Sequence, residues 1–98
     1  MRGPHPALII QNNVGNQASR LTIVVAITSD LKAARLPVGV QVSPADNGLP
    51  RESVVNLGRI YTVDKSRLRQ LMGRLPNGLM EQIDKALQVS VGLQPFEL

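Results

Sequence analysis

The sequence predicts a β-rich α+β domain: a small barrel of four or five short strands with one helix packed against it. Three observations carry this. Residues 20–28 (Arg-Leu-Thr-Ile-Val-Val-Ala-Ile-Thr) form a nearly continuous apolar run of strand length, the mark of a strand buried on both sides. Other short segments rich in β-branched residues alternate with clusters of Asn, Gly and Pro, the punctuation of strands and turns. Only near the C-terminus does the apolar spacing become helical, with Leu79, Met80, Ile83, Leu87 and Val91 on one face. Strands followed by a single helix pack as a small barrel with the helix laid on it. At 98 residues the chain 1–98 is expected to be one domain.

The elements follow in order. Residues 6–12 (Pro-Ala-Leu-Ile-Ile-Gln-Asn) predict a short strand, ending in Asn12, Asn13, Gly15 and Asn16, which suit a hairpin turn. Residues 20–28 are the central strand. Residues 29–37 are a basic connection carrying Lys32 and Arg35, and residues 38–42 (Val-Gly-Val-Gln-Val) alternate as an edge strand does. Residues 44–50, with Asp46-Asn47-Gly48, form a turn. Residues 52–61 are a further strand in which Gly58 suits a bulge. Residues 64–70 can make a short helical turn, followed by a brief extended segment through residues 72–75. In the last helix Asn77 is the expected N-cap, Glu81 suits the positive end of the dipole, and Gly92 can end it. The chain opens almost directly into a strand, and an uncovered strand edge invites pairing with another chain. The sequence therefore predicts either a dimer that hides this edge or a missing N-terminal strand.

Composition narrows the function. There is no cysteine, which excludes disulfides, thiolate metal sites and a cysteine nucleophile and fits a reducing cytoplasm. No apolar run is long enough to span a bilayer, and no secretory signal is recognisable. The net charge of +4 is uneven. Residues 2–74 hold ten Lys/Arg against four Asp/Glu, whereas residues 75–98 hold only Lys85 against Glu81, Asp84 and Glu97. A basic body points to a polyanion. Tyr61 and Phe96 are the only large aromatics, which argues against a generic single-strand binder built on stacking platforms.

Metal-dependent hydrolysis finds no ligand set here, because the chain has one histidine and its aspartates stand singly. No cofactor or metal is expected. One phosphodiester chemistry is within reach without either. RNA carries its own nucleophile, the 2′-hydroxyl, so cleavage needs a base, an acid and donors that hold the phosphate. His5 can move protons near neutral pH. Thr28 and Ser29 offer hydroxyls, and Lys32, Arg35 and Arg59 offer cations for RNA phosphates. His5 stands at the start of one predicted strand and Thr28 at the end of the next, so antiparallel pairing brings them to one end of the sheet. Taken from composition alone, the plainer readings come first: His5 is an exposed histidine near a terminus, Thr28 a β-former closing a strand, and the arginines a solvated face.

Longer stretches add a resemblance. The segment Pro-Ala-Leu-Ile-Ile-Gln-Asn-Asn-Val-Gly-Asn at 6–16 resembles the MazF/PemK family of toxin–antitoxin toxins. In order follow Thr-Ile-Val-Val-Ala-Ile-Thr-Ser at 22–29, Ala-Arg-Leu-Pro at 34–37, Gly-Leu-Pro-Arg-Glu-Ser-Val-Val at 48–55, Tyr-Thr-Val-Asp-Lys-Ser-Arg-Leu at 61–68, Gly-Arg-Leu at 73–75, and the last helix. The resemblance implies an SH3-like barrel lacking the family's first strand. It also implies a homodimer, metal-independent cleavage of single-stranded messenger RNA, and a cognate antitoxin that blocks the RNA groove. It places Thr28 at the family's catalytic threonine, with Ser29 following. His5 falls where the family has a catalytic arginine and lacks that residue's permanent charge and bidentate grip. A barrel that dimerises and binds antitoxin or RNA without cutting is the alternative. The match at 22–29 and 61–68 favours the ribonuclease branch over the related gyrase-directed CcdB toxins.

Overall fold

The computed structural model describes residues 5–44 and 48–94. Its elements are β1 (Ala7–Ile9), α1 (Asn13–Ala18), β2 (Leu21–Thr28), a 3-10 turn (Leu31–Arg35), β3 (Gly39–Val42), β4 (Ser53–Asp64), a second 3-10 turn (Lys65–Arg67) and α2 (Asn77–Ser90). The four strands form one curled antiparallel sheet in the order β1-β2-β4-β3. β2 lies inside the sheet, as its apolar run predicts, and β3 lies at an edge.

The longest ladder joins β2 to β4, from Leu21 opposite Asp64 to Thr28 opposite Val54. It explains why β4 runs to Asp64 rather than stopping at Tyr61: β2 offers partners for that whole length. Between Val25 and Ala26 the partners jump from Ile60 to Asn56, so Leu57, Gly58 and Arg59 bulge out of the β2 register. The bulge is held from both sides. The Asn56 side-chain oxygen accepts from the Gly58 N–H at 2.9 Å, and the Leu57 N–H donates to the Val38 carbonyl at 2.8 Å. Bulges of this kind bend a strand and re-aim its side chains.

One face of the sheet packs on α2. Val25, Val40, Val42, Leu49, Val55 and Leu57 meet Ile83 and Ala86 there, all buried. Each fully buried side chain of this size contributes roughly 1.5–3 kcal/mol, so this cluster holds the helix in place. The C-terminal end of α2 is tied by the Ser90 hydroxyl, which donates to the Leu57 carbonyl. Gly92, at φ +80°, donates to the Val89 carbonyl, and the Leu93 N–H returns to Gln88 at 2.7 Å. This left-handed closure is the reason a glycine ends the helix.

Three expectations need correction. Asn12 to Asn16 do not make a hairpin turn. They open α1, where the Asn12 side chain caps the helix by accepting from the Gly15 N–H at 2.8 Å. Asparagine serves a turn and an N-cap by the same hydrogen bond, so its presence did not separate the two. Residues 72–75 lie outside any helix or strand. Leu71 beside them is 76 % exposed, while Leu75 packs against the core. Pro76, not Asn77, is the N-cap of α2; its carbonyl accepts from the Met80 N–H at 3.0 Å and no side chain caps the helix. Val91 lies past the last helical residue and is exposed, while Ala86 takes its place in the buried stripe.

Candidate active site

The opposite face of the sheet carries the site. Along β2 alternate residues Val24, Ala26 and Thr28 share this face. The β1–β2 ladder pairs Ala7 with Ala26, and the Ile27 N–H donates to the Pro6 carbonyl at 3.4 Å. Continued by one residue, that register sets His5 opposite Thr28, the juxtaposition expected from adjacent antiparallel strands. Both residues line a cleft of about 510 Å³, together with Ser29, Asp30, Ala33, Arg51, Ser53, Asn56 and Arg59 among others. Its size suits a small ligand or a short stretch of a polymer.

Each wall has a local cause. Thr28 is the last residue of β2, and its hydroxyl oxygen accepts from the Asp30 N–H at 3.1 Å. That bond turns the chain out of the strand and orients the hydroxyl. Asp30 in turn caps the following 3-10 turn by accepting from the Lys32 N–H at 3.1 Å. The turn lies tight against the start of β3: a Cβ on Gly39 would meet the Ala33 carbonyl oxygen at 2.1 Å. Only glycine admits this approach, and it fixes the cleft wall at Ala33. Opposite, the buried Ser53 hydroxyl donates to the Arg51 carbonyl at 3.0 Å, anchoring Arg51 just ahead of β4. Arg59 reaches the cleft from the bulge.

The electrostatics favour an anion. Arg51 and Arg59 face a single carboxylate, Asp30, in the lining. The one ion pair among the described residues is Arg20–Asp64, 3.7 Å apart at the far end of β4, so neither cleft arginine is engaged in one. Two carboxylates elsewhere are held below their ordinary range. Glu52 accepts from the Ser43 hydroxyl and then from the Gln41 amide, and Asp64 accepts from the Ser66 backbone N–H. Neither lines the cleft.

Four of the six residues expected from sequence therefore converge here: His5, Thr28, Ser29 and Arg59. Lys32 and Arg35 stand exposed on the neighbouring 3-10 turn and do not line the cleft. Arg51, Ser53 and Asn56 were missed. The signal that finds them is the β2–β4 pairing: once Thr28 is set opposite Val54, the residues just before Val54 must flank it. A hydroxyl, an imidazole and two guanidiniums around one open cleft can hold a phosphodiester and move a proton beside it.

The profile of the PemK-like, MazF-like toxins of type II toxin–antitoxin systems matches residues 1–91. The chain belongs to this family. It is 40% identical over 94 residues to the Bacillus subtilis endoribonuclease EndoA, covering 96% of this toxin and 81% of that protein. It is 38% identical over 95 residues to the endoribonuclease MazF of Staphylococcus epidermidis, covering 97% and 79%. Among solved structures, a mycobacterial endoribonuclease in complex with its cognate antitoxin superposes with a TM-score of 0.84 at 29% identity, covering 98% of this toxin and 87% of that chain. The Mycobacterium tuberculosis toxin MazF-mt6 gives 0.83 at 26% identity, covering 92% and 88%. The expected barrel-type fold with a C-terminal helix is thus the fold of known family members.

Proposed function

We propose that this toxin is an endoribonuclease that cleaves single-stranded messenger RNA at the Thr28 cleft, using the RNA's own 2′-hydroxyl and no metal. The observation that carries the proposal is the meeting of His5 and Thr28 across paired strand ends, with Arg51 and Arg59 in the same cleft. The Thr28 oxygen already accepts a backbone N–H, so its own proton is available to a non-bridging phosphoryl oxygen. The arginines neutralise the phosphate, where charge builds in the transition state. Arg51 supplies the permanent charge that a histidine at position 5 lacks.

The chemistry balances without a further reactant. The 2′-oxygen forms a bond to phosphorus as the bond from phosphorus to the 5′-oxygen breaks. The 2′-hydroxyl proton leaves, and a proton reaches the departing 5′-oxygen. His5 carries one of these two transfers and solvent the other. The products are a 2′,3′-cyclic phosphate and a 5′-hydroxyl.

The names of the relatives as endoribonucleases support an active enzyme over a barrel that binds without cutting. The mycobacterial relative solved with its cognate antitoxin supports an antitoxin as the natural inhibitor. A second copy of the chain, forming a homodimer, is the other proposed partner. No helix among the described residues is long and apolar enough to cross a membrane; a messenger RNA substrate supports a cytoplasmic toxin.

The test is cleavage of a short single-stranded RNA in excess EDTA, beside the same strand made with 2′-deoxy sugars throughout. The RNA is expected to be cut at an undiminished rate and the deoxy strand to remain intact. Cutting of both, or cutting that EDTA abolishes, contradicts the mechanism.

A further inference from the structure

The face that carries Thr28 continues past the cleft. Ile9 of β1 and Tyr61 of β4 stand directly opposite Val24, one on each side, and directly opposed residues project to the same face of a sheet. The three side chains therefore form a row across the sheet. Val24 is buried at 5 % exposure, while Ile9 and Tyr61 keep 41 % and 42 %. The flanking pair remains open to solvent. Thr28 lies four residues along the strand from Val24, about 13 Å away. Arg59, two residues before Tyr61, stands in the cleft lining. Beyond the row the next residue on this face, Thr22, is buried and donates to the Asn16 side chain of α1 at 2.7 Å. The row is thus a short apolar shelf with the cleft at one end and α1 at the other.

We propose that the Ile9–Val24–Tyr61 row is a base-stacking subsite, holding a base of the same RNA strand whose phosphate sits at Thr28. The inference rests on the cleft being the site of phosphodiester cleavage. Three features favour a nucleic-acid base. The shelf is continuous with the cleft, so a strand lying across Thr28 must pass over one side of it or the other. A guanidinium, Arg59, lies between the shelf and the cleft, where the connecting phosphate of such a strand would run. The shelf is also small: the neighbouring apolar residues Leu21 and Ile60 alternate onto the opposite face. Three side chains fall far short of the roughly 800 Å² per partner of a stable protein interface. The scarcity of aromatics in the chain then has a specific meaning. One platform grips one base, with a connecting phosphate between it and the reacting one, in place of the serial stacking of a general single-strand binder.

Tyr61 reports on this subsite directly, because it is the only tyrosine and there is no tryptophan. The full chain is titrated with an all-2′-deoxy single strand, which binds but offers no 2′-hydroxyl, while tyrosine emission is followed. Saturation is expected to change the emission, and a strand whose bases are replaced by abasic sites is expected to leave it unchanged. Tyr61→Ala is expected to weaken binding of the deoxy strand roughly tenfold, with Tyr61→Phe within about twofold of the parent because the ring is kept. Unchanged emission at saturation, or equal affinity of Tyr61→Ala, overturns the proposal. So does a change in the self-association constant of Tyr61→Ala measured by sedimentation, which assigns the row to contact with a second copy. The readout needs no cleavage. Failure of the cleavage reading shows instead as an RNA strand left intact by the parent protein.

Discussion

Thr28→Val is expected to slow single-turnover cleavage of a short single-stranded RNA by roughly 10²- to 10³-fold, the loss that follows removal of one donor to a developing oxyanion. Valine keeps the shape and the β-branched fit to the strand end and removes only the hydroxyl. The Asp30 N–H loses its acceptor, but Asp30 is exposed and water can replace that bond at a cost of about 1 kcal/mol or less. The variant should therefore fold, and its affinity for an all-2′-deoxy strand should stay within about threefold, since the arginines that hold phosphate are untouched. Thr28→Ser, which restores the hydroxyl, is expected to recover cleavage to within about tenfold of the parent. A Thr28→Val protein that cuts at the parental rate removes Thr28 from the mechanism.

His5→Ala is expected to cost roughly 10²-fold in the same assay. His5→Arg separates the two roles open to this position. An arginine holds phosphate well but cannot give or take a proton near neutrality. If His5 moves a proton, His5→Arg keeps affinity and loses cleavage to about the same extent as His5→Ala. If position 5 only grips phosphate, His5→Arg retains or improves the rate, and the proton-transfer assignment falls. The arrangement around it supports the first outcome, because Arg51 and Arg59 already bring two permanent cations to the cleft.

The parts of the fold that could be read from sequence are those that local chemistry decides. The apolar run at 20–28 makes β2 an interior strand wherever its partners come from. The spacing of Leu79, Met80, Ile83 and Leu87 makes a helix with one buried face, and Gly92 closes it. Asn12 to Asn16 were misread because the hydrogen bond that caps α1 is the one that asparagine makes in a turn. The same division runs through the site. His5 and Thr28 come from neighbouring antiparallel strands, so their meeting follows from sequence order. Arg51 and Asn56 reach the cleft through the pairing of β2 with β4, across 25 residues of intervening chain at the closest pair, Thr28 opposite Val54. No local signal sets that register. Lys32 and Arg35 lie near Thr28 in sequence, but the tight packing of Ala33 on Gly39 puts that turn's backbone, and not its two cations, against the cleft.

The three-residue bulge at Leu57, Gly58 and Arg59 ties the two halves of the account together. Leu57 turns into the core against α2 while Arg59 turns to the cleft, so one irregularity in β4 serves both faces of the sheet. Val24, with Ile9 and Tyr61 beside it, then continues the cleft face beyond the point where the register shifts.

The central claim is that the Thr28 cleft cuts RNA by using the RNA's own 2′-hydroxyl. The most direct measurement is the mass of the two fragments left after this chain cuts a defined single-stranded RNA. The mechanism predicts a 2′,3′-cyclic phosphate on the upstream fragment and a free 5′-hydroxyl on the downstream one. A 3′-hydroxyl with a 5′-phosphate would mean that water or another nucleophile attacked, and would contradict it.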